Sequence, residues 1–293
     1  MSLRGLFRKA EPDVEVRVTV RDALIEADHT FFWKHGYVIV RNVFSPQEMA
    51  IAKEAIANHE GMNSHVGTIK SKIDEGKHSS FSTIFVWNDT AGNDLFAKLT
   101  RNHQIFDRIG RFFEDQPYVY HNKVALKYPG INGFSYHQDY FYWYGMGCLY
   151  PDMATVMIAV DPATRENGCL RVLDGSHKLG RVEHVFDPVL EDSAVEKERL
   201  EVIRLHCREV HLELGAGDIA IFHCNTLHGS DDNASDQSRI GLLGCYNTKH
   251  NNPYKATVSG HPFYQEQSAV YEKVTRADLN HLPNFWMRFD EPV

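Results

Sequence analysis

The residues best suited to chemistry in this chain are two histidines and one aspartate that lie far apart in sequence. His137 and Asp139 are two residues apart in the stretch FSYHQD at positions 134–139, and His228 follows much later. Side chains two residues apart in an extended segment point the same way, so His137 and Asp139 can share one metal ion. Two imidazoles and one carboxylate form the facial triad of non-heme Fe(II) oxygenases, which leaves coordination positions open. The sequence therefore predicts that His137, Asp139 and His228 are iron ligands and catalytic residues.

An arginine eleven residues after His228 indicates how a cosubstrate would bind. Arg239 opens a predicted strand, and an inward guanidinium there could hold the distal carboxylate of 2-oxoglutarate through two parallel hydrogen bonds. The chain contains 17 histidines, so the HxD pattern alone is weak. Its combination with His228 and Arg239 is what favours an iron site over a structural pair.

The sequence predicts that the N-terminal part of the chain is mostly helical. Apolar spacing predicts a helix over about 21–34 and one or two helices over 93–113, and a capping box from Ser45 to Glu48 starts another. A short strand is predicted at 37–40, and the polar stretch 61–92 reads as a mobile loop or a lid over the site. The buried face of the first helix is expected to carry Leu24, Ile25, Phe31, Phe32 and Trp33.

The remainder reads as short strands, predicted at 118–128, 155–160, 169–173, 210–214, 219–223 and 239–246. On the first of them Val124 and Leu126 face one way, while Lys123, Ala125 and Lys127 face the other. The acidic run 182–208 reads as a helix-favouring insertion outside the sheet that could also cover the site. The order predicts an α+β fold with one antiparallel β core closed as a barrel or jelly roll.

Length, charge and cysteines limit the possible classes. We expect 293 residues to form one domain, with a mostly helical N-terminal region (residues 1–115), a β core (residues 116–250) and a C-terminal extension (residues 251–293). A net charge of −8 without a Lys/Arg block argues against nucleic-acid or membrane partners and favours a small-molecule substrate. No obligate protein partner is inferred. The absence of a signal peptide or apolar span predicts a cytoplasmic protein with five reduced cysteines.

Several further stretches accompany the three candidate ligands. They are FWKHGYVIV at 32–40, ENGCL at 166–170, DGSHK at 174–178 and GD at 217–218. Together with HQD at 137–139, HGS at 228–230 and Arg239, they resemble the phytanoyl-CoA dioxygenase-like family of Fe(II)/2-oxoglutarate-dependent oxygenases, which includes ectoine hydroxylase. The resemblance implies a double-stranded β-helix, a cupin-like jelly roll with the N-terminal helices packed on one sheet.

The resemblance also implies the reaction and its cofactors. Fe(II) would be held by His137, Asp139 and His228, with 2-oxoglutarate and O2 as cosubstrates and Arg239 at the distal carboxylate. The products would be succinate, CO2 and a substrate hydroxylated at an unactivated C–H. Related halogenases have a small residue where this chain has Asp139, so the carboxylate favours oxygen insertion.

The same resemblance suggests further binding residues. The family uses side chains of the strand before HxD for the cosubstrate, and Lys123 and then Lys127 are the candidates; two solvated lysines are the alternative. Among the aromatic residues after Asp139, the candidates for substrate contact are Tyr140, Tyr142 and Trp143, by cation–π attraction or apolar area. Plain core packing is the alternative, and residues 145–150 do not match ectoine hydroxylase, so ectoine is not transferred as the substrate.

Other functions remain open at this point. The same iron chemistry could give desaturation, cyclisation or epoxidation. A non-enzymatic metal-binding β-barrel protein and a zinc hydrolase on a cupin-like barrel are alternatives from other classes. His177 and His223, which flank the motifs, are interpreted as a turn residue and as a core or supporting residue.

Overall fold

The computed structural model describes residues 20–62, 84–87, 90–187, 192–255, 263–283 and 286–287. Its α-helices are α1 Val20–His35, α2 Pro46–Ala57, α3 Leu95–Thr100, α4 His103–Phe113, α5 Asp139–Gly145 and α6 Lys197–His206. Its strands are β1 Tyr37–Val40, β2 Ile84–Trp87, β3 Pro117–Lys127, β4 Ala154–Ala159, β5 Leu170–Leu173, β6 His184–Asp187, β7 Asp192–Val195, β8 Glu209–Leu212, β9 Ile219–His223, β10 His228–Ser230, β11 Arg239–Thr248 and β12 Trp286–Met287. Short 3₁₀ helices lie at Ser176–Leu179, Lys249–Asn251 and Arg276–Asn280.

Two antiparallel sheets form the centre of the molecule. The larger has the strand order β1-β9-β4-β11-β3-β2-β12, and the smaller has the order β10-β5-β8. Apolar residues of the larger sheet, such as Met157 and Phe222, pack with Leu170 and Val172 of the smaller one in one buried cluster. This arrangement confirms the predicted α+β fold with an antiparallel β core, and it places a space between the two sheets.

The N-terminal helices cover the other face of the larger sheet. Phe32 of α1 and Ile109 of α4 are fully buried in the same cluster as Val124 and Leu126 of β3. Because side chains alternate along a strand, the neighbouring residues of β3 point away from the helices and into the space between the sheets. The predicted division of this strand into two faces is confirmed.

Local capping explains where the helices begin. The predicted capping box of α2 is present, since Ser45 and Glu48 satisfy each other's backbone N–H groups. Asp94 caps α3 by accepting from two backbone N–H groups, and Asn102 caps α4. None of the helices in the described part of the chain has the length and apolar character that crossing a bilayer requires.

Four expectations about the elements need correction. In α1 only Ile25 and Phe32 are buried, whereas the predicted core residues Leu24, Phe31 and Trp33 are 57%, 40% and 37% exposed. Within the predicted loop 61–92, Ile84–Trp87 is a strand that pairs with β3, while residues 63–83 and 88–89 lie outside the described residues.

The other two corrections lie near the candidate site. The insertion 182–208 does lie outside the two main sheets, but it begins with the β6–β7 pair and only its second half is helical. Asp139 is the first residue of α5 rather than part of an extended segment. Gln138 before it is extended, so the side chains of His137 and Asp139 still point to the same side.

Candidate functional site

Three elements bring the predicted metal ligands together at one end of the space between the sheets. His137 forms a β-bridge with His228, the first residue of β10, and Asp139 starts α5 two residues later. One potential ligand atom from each of the three side chains lies within 4.8 Å of the other two. His137 and His228, 91 positions apart in sequence, are thus joined by one pair of backbone hydrogen bonds, each 3.0 Å long.

The hydrogen bonds of both histidines leave the same ring nitrogen available. His137 Nδ1 lies 2.8 Å from the Ser135 carbonyl oxygen, and His228 Nδ1 lies 2.9 Å from that of Thr226. A carbonyl oxygen only accepts, so each Nδ1 carries the proton and each Nε2 presents a lone pair. Burial lowers the pKa of His228 to about 4, so its ring is neutral near pH 7. The donor set therefore fits a divalent metal ion.

Asp139 is held ready as an anion. Burial raises the pKa of its carboxyl, but His228, Lys123, His137 and a hydrogen bond from Thr155 lower it, and the net direction is downward. The Thr155 hydroxyl donates to Oδ2 of Asp139, which fixes the orientation of the carboxylate. A buried carboxylate beside two imidazoles that each present Nε2 is the set of donors that Fe(II) oxygenase sites use.

Gln138, between the two ligands, fixes this segment and was missed by sequence reasoning. Its side chain is fully buried and donates to the carbonyl oxygens of Gly180 and Asn225 at 2.8 and 2.7 Å. It also accepts from the backbone N–H of Val182 at 2.7 Å. A glutamine between two ligands in an extended segment must point away from the metal, which was the available signal.

A cavity of about 160 Å³ opens beside the three ligands. Its polar lining, apart from the ligands, comes from His121, Lys123, Thr155, Ser230 and Arg239. Its apolar lining includes Ile84, Phe134, Trp143, Met146, Met157, Leu170, Phe222 and Leu243. The predicted ligands and the predicted arginine therefore border the same space.

Arg239 has hydrogen-bond capacity that the protein itself does not use. It is 6% exposed, and its Nη2 donates to the Gly168 carbonyl oxygen at 3.0 Å. Its Nε is buried and has no hydrogen-bond partner among the described residues. Burial lowers the pKa of the guanidinium to about 10, so it stays charged near pH 7. A buried cation with unused donors fits a bidentate carboxylate ligand.

Ser230 is a second polar residue that sequence reasoning missed. Its Oγ accepts from Lys127 Nζ at 2.9 Å and from the backbone N–H of Phe134 at 3.1 Å. With both acceptor positions used, the hydroxyl proton can be donated into the cavity that Ser230 lines. Its position two residues after His228 on one strand placed it on the same face, so the spacing alone could have identified it.

The two predicted lysines have different surroundings. Lys123 lines the cavity. Lys127 instead directs its ammonium to Ser230 Oγ and to the carbonyl oxygens of Asp231 and Gly168, and it is not among the residues that line the cavity. Burial and then the neighbouring Arg239 lower the pKa of Lys127 to about 7.

The three predicted substrate residues also separate. Tyr142 and Trp143 line the cavity, and the Tyr142 hydroxyl donates to the Ser193 carbonyl oxygen at 3.1 Å. Tyr140 is not among the lining residues. Its hydroxyl donates to the Leu149 carbonyl oxygen at 2.5 Å, and its ring belongs to a buried cluster. On helix α5, residues 140 and 142 lie on different faces, so only one of these two tyrosines is directed at the cavity.

Two other histidines lie in the core and not at the site. His177, in the 3₁₀ helix Ser176–Leu179, is hydrogen-bonded through Nε2 to the Trp33 carbonyl oxygen at 3.1 Å. His223 packs against Phe32 and Trp33, and its Nδ1 accepts from the Asn225 backbone N–H at 3.0 Å. Neither residue belongs to the group that could hold a metal ion.

Comparison with known proteins decides the family. The model of the family described as phytanoyl-CoA dioxygenase (PhyH) matches residues 32–241, which is most of the chain and includes all three candidate ligands. The chain belongs to this family. Residue 239, the candidate cosubstrate arginine, also lies within the matched range.

Relatives in the family carry dioxygenase names. The chain is 34% identical to a 2-aminoethylphosphonate dioxygenase from an uncultured bacterium over 143 residues, 49% of this chain and 50% of that protein. It is 27% identical to the ectoine dioxygenase of Halomonas elongata over 186 residues, 56% and 53% of the two chains. It is 23% identical to that of Bordetella bronchiseptica over 94% and 92%. The alignments with the first two relatives thus span about half the length of those proteins.

Solved structures share the fold at low sequence identity. The apoform of EctD from S. alaskensis superposes with a TM-score of 0.65 at 20% identity, over 90% of both chains. The epimerase SnoN, solved with Fe3+, alpha ketoglutarate and nogalamycin RO, superposes with a TM-score of 0.60 at 17% identity, over 85% of this chain and 96% of that one. The predicted jelly-roll fold is confirmed.

Proposed function

We propose that this protein is an Fe(II)- and 2-oxoglutarate-dependent dioxygenase that hydroxylates an unactivated C–H bond of a small organic substrate and releases succinate and CO2. The observation that carries the proposal is one cavity bordered by a two-histidine, one-carboxylate set and by a buried arginine with unused donors. A zinc hydrolase or a metal-binding barrel protein would not require that arginine. The dioxygenase names of the relatives support the same reaction class.

The residues of the chain have distinct tasks in this proposal. Nε2 of His137, Nε2 of His228 and a carboxylate oxygen of Asp139 hold Fe(II), and the carbonyl partners of each Nδ1 keep both rings in the required tautomer. When bound, the iron together with 2-oxoglutarate and O2 supplies the oxidising power for C–H cleavage. The protein supplies position, charge compensation and exclusion of water.

Arg239 and Ser230 are suited to the distal carboxylate of 2-oxoglutarate. The guanidinium offers donors on a rigid plane, and the Ser230 hydroxyl offers one more from β10. Both side chains line the cavity next to the candidate iron ligands. The predicted cosubstrate roles of Lys123 and Lys127 stay predictions, and Lys127 would act only through Ser230.

The aromatic and aliphatic walls are suited to hold the substrate. Tyr142 and Trp143 line the cavity on the α5 side, while Phe134 and Leu170 line it near β10 and β5. Apolar walls exclude water and fix the body of a substrate so that one C–H lies near the iron. Tyr140 packs in the same buried cluster as Trp143, behind this wall. The location in the cytoplasm stays a prediction.

The proposal is tested by succinate formation. Purified protein with Fe(II), 2-oxoglutarate and O2 should release succinate, and omission of iron or the Asp139→Ala substitution should abolish it. Asp236→Ala is the matched control, because Asp236 is exposed and pairs only with its neighbour Gln237 among the described residues. Succinate output that is unchanged by Asp139→Ala would refute the assignment. With an identified substrate, a product mass increased by one oxygen distinguishes hydroxylation from desaturation, cyclisation and epoxidation.

A further inference from the structure

The charges that border the cavity do not balance. Among the described residues that line the cavity, Asp139 is the one with an anionic side chain, while Lys123 and Arg239 are cations. Fe(II) and the two carboxylates of 2-oxoglutarate compensate each other, and Asp139 compensates one of the two cations. The loaded site therefore keeps one positive charge, which is weakly screened in a cavity with mostly apolar walls.

Lys123 is the cation whose neighbouring strands offer no anion. On those strands it lies opposite Leu243 of β11 and Val86 of β2, which are both apolar. On its own strand the residues on the same face are His121 and Ala125, which also line the cavity. The ammonium thus enters the cavity from a wall without a carboxylate.

The two cations enter the cavity at different positions along its strands. On β11, Leu243 is opposite Lys123, whereas Arg239 is opposite Lys127. Four residues of strand correspond to roughly 13 Å at about 3.3 Å per residue. Lys123 is the cation nearer the metal ligands, because Thr155, which donates to Asp139, is opposite Cys245 of β11, two residues from Leu243 but six from Arg239. The two side chains are therefore placed for two different anions.

We propose that Lys123 binds an anionic group, a carboxylate or a phosphonate, of the primary substrate. The inference rests on the proposed function, because it takes Arg239 as the partner of 2-oxoglutarate. Ile84 and Met146, both in the cavity lining, then face the remainder of the molecule, so the substrate combines one anionic end with an aliphatic body. This differs from the cosubstrate role that the sequence predicted for Lys123.

The test compares the binding of matched probes to the anaerobic protein loaded with Mn(II) and 2-oxoglutarate. The probes are butanoate, n-propylphosphonate and the neutral butanamide, measured by calorimetry with wild type, Lys123→Met and Lys123→Arg. Lys34→Met is the control, since Lys34 is an exposed lysine of α1. Thermal unfolding of each variant verifies that it is folded.

Wild type and Lys34→Met should bind at least one anion about tenfold or more tightly than the amide, as a charge-assisted hydrogen bond implies. Lys123→Met should lose that preference, Lys123→Arg should keep it, and all four proteins should bind 2-oxoglutarate within about threefold of one another.

A wild-type protein that binds the amide as tightly as both anions would overturn the proposal. So would a 2-oxoglutarate affinity that falls tenfold or more in Lys123→Met, because Lys123 would then hold the cosubstrate. Wild type that binds no 2-oxoglutarate would instead refute the proposed function. In that case the same probes are measured with protein loaded with Mn(II) alone. An anion preference that Lys123→Met loses would still support the role of Lys123, and its absence from wild type would overturn it.

Discussion

Replacing Arg239 by methionine should weaken the binding of 2-oxoglutarate without lowering the stability of the ligand-free protein. The guanidinium is 6% exposed, uses one donor on Gly168 and has a buried Nε without a partner among the described residues. A bidentate pair with the distal carboxylate of 2-oxoglutarate would engage the unused donors. Removing one partner of such a buried pair costs about 3–5 kcal/mol. At about 1.4 kcal/mol for each factor of ten, the Kd of 2-oxoglutarate should rise about 150- to 4,000-fold.

The ligand-free protein should respond in the opposite direction. Arg239 lies beside the buried Lys127, whose pKa is lowered by burial and by this neighbouring charge. An apolar side chain of similar length removes that repulsion and the cost of burying an unpaired guanidinium. The Gly168 carbonyl oxygen also keeps a contact with Lys127 Nζ at 3.5 Å. Arg239→Met without ligand should therefore unfold at the same or a higher temperature than wild type.

Calorimetric titration of Mn(II)-loaded protein under anaerobic conditions measures the affinity, with 2-oxopentanoate as a ligand that lacks the distal carboxylate. Wild type should prefer 2-oxoglutarate over 2-oxopentanoate by about the factor that the substitution removes, and Arg239→Met should bind the two nearly equally. A variant that binds 2-oxoglutarate within threefold of wild type, or that keeps the preference, would refute the role of Arg239.

Two further predictions concern stability. Burial lowers the pKa of His223 from 6.5 to about 3 in the folded protein. Below pH 6.5 the unfolded state therefore binds more protons than the folded state. The free energy of unfolding should fall by about 2 kcal/mol between pH 6.5 and 5. Urea unfolding across this range should show a flatter pH dependence for His223→Phe, and an unchanged slope would contradict the buried neutral ring. A Cβ on Gly133 would clash with the Ser230 carbonyl oxygen, so Gly133→Ala should lower the free energy of unfolding by about 3 kcal/mol. Gly110→Ala in helix α4, where the nearest atom is 3.5 Å away, should instead raise it by about 0.5–1 kcal/mol; equal effects of the two substitutions would count against this packing.

The elements with strong periodic signals were predictable from sequence. Helix α4, strand β3 and the capping box of α2 are examples. Their conformation follows from the spacing and types of residues that are close in sequence. The three candidate ligands were also predictable, because their residue types are rare in combination and the two in HxD share one face. Their convergence could only be proposed, since the bridge between His137 and His228 joins segments that are distant in sequence.

The expectations that were wrong depend on tertiary contacts. Strand β2 is four residues long and its register is set by β3 rather than by its own pattern. The exposed positions of Leu24, Phe31 and Trp33 reflect how α1 rests on α4, which the apolar spacing of one helix does not specify. The substrate roles of Tyr140, Tyr142 and Trp143 stay predictions; aromatic residues occur in both strands and helices, so the sequence did not show which of these rings line the cavity.

The most direct test of the central claim is a crystal structure of the anaerobic protein with Mn(II) and 2-oxoglutarate. The predicted result is one metal ion held by Nε2 of His137, Nε2 of His228 and a carboxylate oxygen of Asp139, chelated by the 2-oxoacid, whose far carboxylate meets Arg239 and Ser230. A metal ion bound elsewhere, or a distal carboxylate directed away from Arg239, would contradict it.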